Sequence, residues 1–394
     1  MTERLYYTNP ELLQFDASIV SSVEKDGKYL TRLDRSAFYP TSGGQQNDLG
    51  KLNGVDIIDV IEENDDVVHL SESIVGNEGV QVTGLIDEER RFWHRQIHSA
   101  QHILSQAFAR LHGLTTMSVH LGDEYGNIEV DSDHVSQSQL DEVEKLANQI
   151  IRDNLPVDIL FIEHTELSNY PLRKVPTRTG RIRLIKIGEV EYSACGGTHV
   201  NSTAQVQLVK IISTVKIRGR TAVNFLCGTK AVEDYCNRYK IVADVSQHLT
   251  CNISDIPSKI EKFEAELKEQ SKELTKLQKE LLPVKASQFA ELKMLKNNIH
   301  YVVAPVSDLN QKLLGNLCGL VADDISGIAV LTTDKKIAIA SSVEQVNASE
   351  IAKVLSSELG FKGGGNQKAA QLGASETVDV KTITEKVNIF LDEL

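Results

Sequence analysis

The stretch DEERRFWHRQIHSAQHILSQAFARLHG, residues 87–113, reads as a single helix. Asp87 stands where a cap accepts free amide hydrogens, Glu88 and Glu89 lie in the electropositive first turn, and Gly113 follows the last helical residue. On such a helix His98 and His102, four residues apart, share one face. A second pair, Cys195-Gly-Gly-Thr-His199, has the same spacing, and its double glycine permits a tight backbone fold that brings a thiolate and an imidazole to one ion. Sulfur with imidazole suits zinc over magnesium or calcium. Each pair alone has an ordinary reading, as two helix-face histidines or as a buried inert thiol. Together, with the second pair set among polar and glycine residues, they supply four metal ligands: His98, His102, Cys195 and His199. A zincin protease needs Glu directly after the first histidine as its general base, and Ser99 stands there instead.

Around these pairs the chain has 394 residues, 25% charged and 41% hydrophobic, enough for two or three cores. No apolar run approaches the ~20 residues that span a bilayer, and Met1-Thr-Glu-Arg-Leu lacks the regions of a signal peptide. Five scattered cysteines, an odd number, fit a reducing compartment. A cytoplasmic location is the expectation. The formal net charge of −13 argues against nucleic acid, but the charge is uneven along the chain. Between Leu167 and Val232, eleven basic residues (Arg173, Lys174, Arg178, Arg181, Arg183, Lys186, Lys210, Lys216, Arg218, Arg220 and Lys230) face only Glu189 and Glu191. They are either solvated strand faces or an electrostatic footprint for phosphates beside the metal.

The pattern predicts an α+β protein in four parts. Residues 1–86 alternate polar and apolar, with turns at Asp26-Gly27 and Asn53-Gly54 and an acidic loop at Glu62 to Asp66: a small β-barrel-like domain. Within it the glycine-rich loop Phe38-Tyr-Pro-Thr-Ser-Gly-Gly-Gln45 is either a turn or a place of close backbone approach to a ligand. Residues 87–250 form the zinc-containing α+β domain, with a second helix from about Ser138 to Asn154 and His120 on a strand, Ser118-Val-His-Leu-Gly122. Residues 251–298 carry a heptad tract, Ile253, Ile256, Ile260, Phe263, Leu267, Gln270, Leu274, Leu277 and Leu281, stopped by Pro283. A seam of this kind needs a partner helix, either a second chain or Gln288 to Asn297 folding back. Residues 299–394 alternate buried strands with helical stretches, an α/β domain. There Gly360 to Gly373 is read as leading into a helix, either as a plain loop or as a run of N–H groups that cradles phosphate.

His98-x-x-x-His102 with Cys195-Gly-Gly-Thr-His199-Val, the Phe38 to Gln45 loop with Asp48, and Leu172-Arg-Lys-x-Pro176 resemble the alanyl-tRNA editing family. These free-standing AlaX proteins are similar to the editing domain of alanyl-tRNA synthetase. The heptad tract and the Gly363-Gly-Gly365 region resemble the DHH-associated C-terminal part of the large AlaX form. The resemblance implies deacylation in trans of alanine tRNA mischarged with serine or glycine, with zinc on His98, His102, Cys195 and His199. It also implies a role for Thr41 in recognising serine, and offers Gln45 and His120 as further pocket residues. It implies tRNA contact and homodimer formation through the heptad helix and the C-terminal domain. The loop reads Thr41-Ser-Gly-Gly where many relatives have three glycines, and the second C-terminal glycine cluster is reduced to Leu372-Gly-Ala374. Two other classes are compatible with parts of the chain. A DHH phosphoesterase needs an Asp-His-His triplet, and Asp133-His134 is followed by Val135. A non-catalytic, zinc-stabilised tRNA-binding protein is permitted by a closed four-ligand set.

Overall fold

The computed structural model describes residues 1–177, 179–373 and 379–394. The chain divides into two compact units, Met1–Asp244 and Val245–Leu394. Its architecture is mixed α+β.

In the first unit the alternating sequence before residue 87 forms one antiparallel sheet. Its strands lie in the order Val55–Ile57, Gly50–Leu52, Gln81–Ile86, Gln14–Lys25, Lys28–Leu33, Asp66–Ser71, Asp59–Glu63. The twelve-residue strand Gln14–Lys25 gives its first half to Gln81–Ile86 and its second to Lys28–Leu33. A register shift between Ile19 and Ser21 separates the halves, and a bulge of this kind bends the sheet toward a nearly closed barrel. Both predicted hairpin turns are present: Asp26-Gly27 has φ of 53° and 75°, and Asn53-Gly54 has 48° and 82°, which a two-residue hairpin requires.

Helix α1 spans Glu88–His112. The Asp87 carboxylate accepts from the Arg90 amide at 2.9 Å, and Gly113 closes the helix in the left-handed region at φ 66°. Helix α2, Gln137–Arg152, begins with a capping box between Ser136 and Gln139. Trp93, Ile97, Ala100, Leu104 and Phe108 of α1 join Val143, Ala147 and Ile150 of α2 in the largest core. Strands Gly126–Val130 and Arg220–Cys227 supply Ile128, Val223 and Phe225 to it. Yet the opposite face of α1 is also buried, and it is polar: His94, Arg95, His98, Ser99 and His102. Buried polar groups need partners, so that face dictates what surrounds it.

The second unit departs from expectation in three places. Helix α3, Gly228–Leu249, leads to α4, Ile256–Ala290, which runs through Pro283 and does not stop there. Gln288 therefore extends the helix, and Met294–Lys296 is a strand, so no fold-back helix covers the seam. Leu282 and Ala286 near the C-terminal end of α4 pack on helix α5, Leu314–Ile325, whereas Ile260, Phe263, Leu267, Leu274, Leu277 and Leu281 are exposed. A proline costs one ladder bond, and the packing of Leu282 and Ala286 on both sides of it offsets that cost. Third, Gly363–Gly365 belongs to an edge strand, Lys362–Gly365, paired antiparallel with Ala369–Gly373, and does not lead directly into a helix. The run is therefore part of a ladder rather than the loop into a helix that the sequence suggests. Helix α6 spans Ala348–Leu359, and the last helix, α7, starts only at Val380. Ala374 of the reduced glycine cluster lies outside the described residues. Among the described residues this unit holds one six-stranded sheet, in which only Ile299–Pro305 and Ile328–Thr332 pair in parallel. No helix among the described residues is long and apolar enough to cross a membrane.

Candidate metal centre and its cavity

Helix α1 places His98 and His102 one turn apart, and the loop after strand Glu191–Ala194 carries Cys195 and His199 to them. The four ligand atoms lie within 4.8 Å of one another. Cys195 Sγ is 3.4 Å from His98 Nε2 and 3.3 Å from His199 Nε2. What the structure adds is the set of groups that orient each imidazole. His98 Nδ1 meets Gln45 Oε1 at 2.8 Å, an amide oxygen that also accepts from the Thr198 amide at 3.1 Å. An oxygen acceptor puts the proton on Nδ1 and leaves the Nε2 lone pair for a metal. His199 Nδ1 lies 3.1 Å from Ser99 Oγ. That hydroxyl donates to the Arg95 carbonyl at 2.9 Å, so it can only accept from His199, and it accepts from the Val200 amide as well at 3.1 Å. His102 Nδ1 faces Glu191 Oε1 at 3.5 Å, an ion-pair distance without hydrogen-bond geometry. The donor set, with an oxygen beside each Nδ1, fits a zinc ion held by three Nε2 atoms and a thiolate.

Electrostatics of the cluster agree. Burial opposes ionisation of the Cys195 thiol, yet the imidazoles of His98, His199 and His102 together outweigh it and hold the group well below an ordinary thiol. Burial also disfavours charge on His102, but Cys195 and Glu191 reverse that and raise it to about 9. Burial and the neighbouring His98 push His199 well down. Metal ligation needs a thiolate and neutral imidazoles, so an ion entering the cluster competes with protons there.

The loop Cys195-Gly-Gly-Thr-His199 is clamped from outside. Arg183 donates Nη1 to the Cys195 and Gly197 carbonyls at 2.6 and 3.0 Å and Nε to the Tyr7 carbonyl at 3.0 Å. Arg95 Nε holds the His199 carbonyl at 2.9 Å. The double glycine does not serve backbone freedom, for neither residue has positive φ. Gly197 is required by space: a Cβ there would lie 2.1 Å from His98 Cε1 and 2.3 Å from Nδ1. In the Phe38 to Gln45 loop, Gly43 and Gly44 do have positive φ, 58° and 86°, and Gly44 approaches the Val119 carbonyl where a Cβ would come within 2.6 Å. The loop is thereby laid against strand Thr116–Leu121.

A cavity of about 620 Å³ opens over the cluster. His98, His102 and Cys195 border it, with Ser42 and Gly43 from the loop and Arg173 and Lys174 from the basic segment. Arg173 Nε also donates to Glu191 Oε1 at 3.1 Å, so the carboxylate beside His102 is tied to the cavity wall. Elsewhere three members of the basic segment are paired locally: Lys186 with Glu189, Lys210 with Glu144 and Arg220 with Glu129. Arg178 lies outside the described residues.

Of the three further pocket residues, Gln45 is fully buried and bonded to His98 and Thr198. Thr41 is exposed and does not border the cavity; its hydroxyl is 3.3 Å from Asn47 Oδ1 and accepts from the Asn47 amide at 3.2 Å. His120 is exposed on its strand and is not part of the cavity wall. Sequence reasoning did not assign Ser99, Glu191, Thr198 or Arg183 to the centre. Ser99 had a signal, lying one residue after a ligand on the buried face of α1, and Glu191 had another as a rare acid in a basic segment.

Residues 182–221 match the threonyl and alanyl tRNA synthetase second additional domain, and residues 298–393 match the DHHA1 domain. Over 391 residues the sequence is 29% identical to the alanyl-tRNA editing protein AlaX-L of Pyrococcus horikoshii, covering 94% of each chain. The chain is thus similar to an AlaX protein over nearly its whole length. AlaX proteins share this region with larger enzymes. The alanine–tRNA ligase of Archaeoglobus fulgidus is 29% identical over 413 residues, and that of Methanobrevibacter smithii 30% over 414. The chain spans only 44% and 46% of those ligases, against 94% of AlaX-L.

Proposed function

We propose that this chain is a trans-editing aminoacyl-tRNA deacylase that hydrolyses the ester of alanine tRNA mischarged with serine, and with glycine. Zinc on His98, His102, Cys195 and His199 is its cofactor. The observation that carries this reading is that three of the four clustered ligands border a cavity of about 620 Å³ with Arg173 and Lys174 in its wall. A metal held only for stability needs no such opening. The kinship to AlaX-L and to the alanine–tRNA ligases supports the substrate class.

Hydrolysis adds water across the ester carbonyl, breaks the bond to the ribose oxygen and returns a proton to that oxygen. Bound zinc would supply Lewis acidity for it, or a fixed point for the amino group. This chain's residues do the rest. Gln45, Ser99 and Glu191 fix the three imidazoles; Arg183 and Arg95 fix the loop that carries the thiolate. Arg173 and Lys174 offer positive charge to the RNA phosphates. Ser42 and Gly43 shape the wall, and Thr41, through Asn47, holds the turn that presents them. Thr41 thus acts on serine recognition by position, and Gln45 is a positioning residue for His98. His120 belongs to the proposal as an RNA-facing group on the exposed strand. Hydrolytic sorting is needed because a pocket for alanine rejects serine and glycine weakly. Cytoplasmic translation is the setting that fits, and a homodimer through the exposed seam of α4 completes the reading.

Cys195→Ser tests it. The variant is expected to lose hydrolysis of seryl-tRNA by at least ~10²-fold while binding uncharged tRNA as the parent does. Loss of tRNA binding in step with unfolding would mark the metal as structural.

A further inference from the structure

A second cavity, of about 470 Å³, lies beside the first and shares Pro176, Ala194, Cys195 and Gly196 with it. Its wall is aromatic and cationic. The Arg181 guanidinium sits 4.6 Å from the centre of the Phe161 ring, and that ring is 36% exposed. Arg183 sits 5.5 Å from the centre of the Tyr7 ring, which also receives Arg4 at 5.5 Å. Arg183 is only 8% exposed; its Nε and Nη1 go to backbone carbonyls, while Nη2 has no partner. Among the described residues no carboxylate borders the cavity.

We propose that this second cavity is a nucleotide subsite. It takes the unpaired nucleotide that precedes the esterified terminal adenosine of the RNA. Its base stacks on Phe161 beside Arg181, and its phosphodiester oxygens meet Arg181. Aromatic faces paired with guanidinium planes are what single-stranded RNA uses, and they accept any base. The shared residues put the two cavities on adjoining sides of Cys195-Gly196, so a strand with its ester over the metal cluster continues into the second. This inference rests on the deacylase reading for the identity of the strand.

The test uses full-length, zinc-loaded protein and a 5′-labelled CCA trinucleotide followed by fluorescence anisotropy, with AMP as the ligand that fills the terminal position alone. Phe161→Ala and Arg181→Gln are the variants, both being partly exposed side chains outside the metal cluster. Arg183 is avoided because it holds the Cys195 carbonyl. Each variant is expected to bind CCA roughly ten-fold more weakly, with AMP binding and zinc content unchanged. Unchanged CCA binding, no CCA binding by the parent, or equal loss of AMP overturns the subsite. Seryl-tRNA hydrolysis is measured in parallel. A parent that binds CCA through these residues but hydrolyses nothing overturns the deacylase reading alone; an active parent with unaffected variants overturns the subsite alone.

Discussion

Gly197→Ala is expected to lower zinc affinity by about 10- to 100-fold and hydrolysis by ~10²-fold or more. The added methyl would meet His98 Cε1 at 2.1 Å, Nδ1 at 2.3 Å and Gln45 Oε1 at 2.9 Å. Those contacts are too close for any relaxation that keeps His98 on Gln45, so the ring must turn away from the ligand cluster. Gly196→Ala is the control. A Cβ at that position finds nothing nearer than Tyr7 Oη at 3.5 Å, an ordinary contact, and the variant should keep its zinc. Zinc content after dialysis and initial hydrolysis rates decide the matter; a fully loaded, active Gly197→Ala would show that the ring has room the distances deny.

Asp48→Ala is expected to cost the first unit about 3–5 kcal/mol. Asp48 is fully buried against Arg91, itself 1% exposed. The carboxylate takes Arg91 Nε at 3.0 and 3.1 Å and also Nη2, and accepts from the Tyr39 amide at 2.6 Å. Nη2 and Nη1 also donate to the Ala37 and Pro10 carbonyls at 2.5 and 2.9 Å. Removing the acid strands a charge in the core and unpins the glycine-rich loop from α1. The double replacement Asp48→Leu with Arg91→Met, which removes both charges, should recover most of the loss. Urea unfolding followed by a probe in the first unit measures it. A single-variant cost under ~1 kcal/mol would mean that the pair is not an anchor.

Much of the centre was legible because ligands obey spacing. Four residues on a helix put His98 and His102 on one face, and Asp87 and Gly113 bounded that helix correctly. What orients the ligands was not legible, because it depends on contacts between distant segments: Gln45 reaches His98 from fifty-three positions away and Arg183 closes over a loop from another strand. Ser99 illustrates the limit. It was read only as the residue that excludes a zincin, whereas its hydroxyl fixes His199. The double glycine was read as backbone freedom, whereas at Gly197 the structure shows crowding by His98. In the second unit, Pro283 looked like a helix end because its cost is local, while the packing of Leu282 and Ala286 that outweighs it is not. The Gly363-Gly-Gly365 run looked like a ligand loop because glycine is rare in strands. The partner strand explains it: a Cβ at Gly363 or Gly365 would come within 2.1 Å of a carbonyl oxygen of Ala369–Gly373.

The most direct measurement is release of serine from seryl-tRNA of the alanine type by the full chain, run beside alanyl-tRNA and a zinc-stripped sample. Rapid hydrolysis of the seryl ester, sparing of the alanyl ester, and loss and recovery of activity with zinc are the predicted results. Intact zinc and tight tRNA binding without serine release would contradict the account.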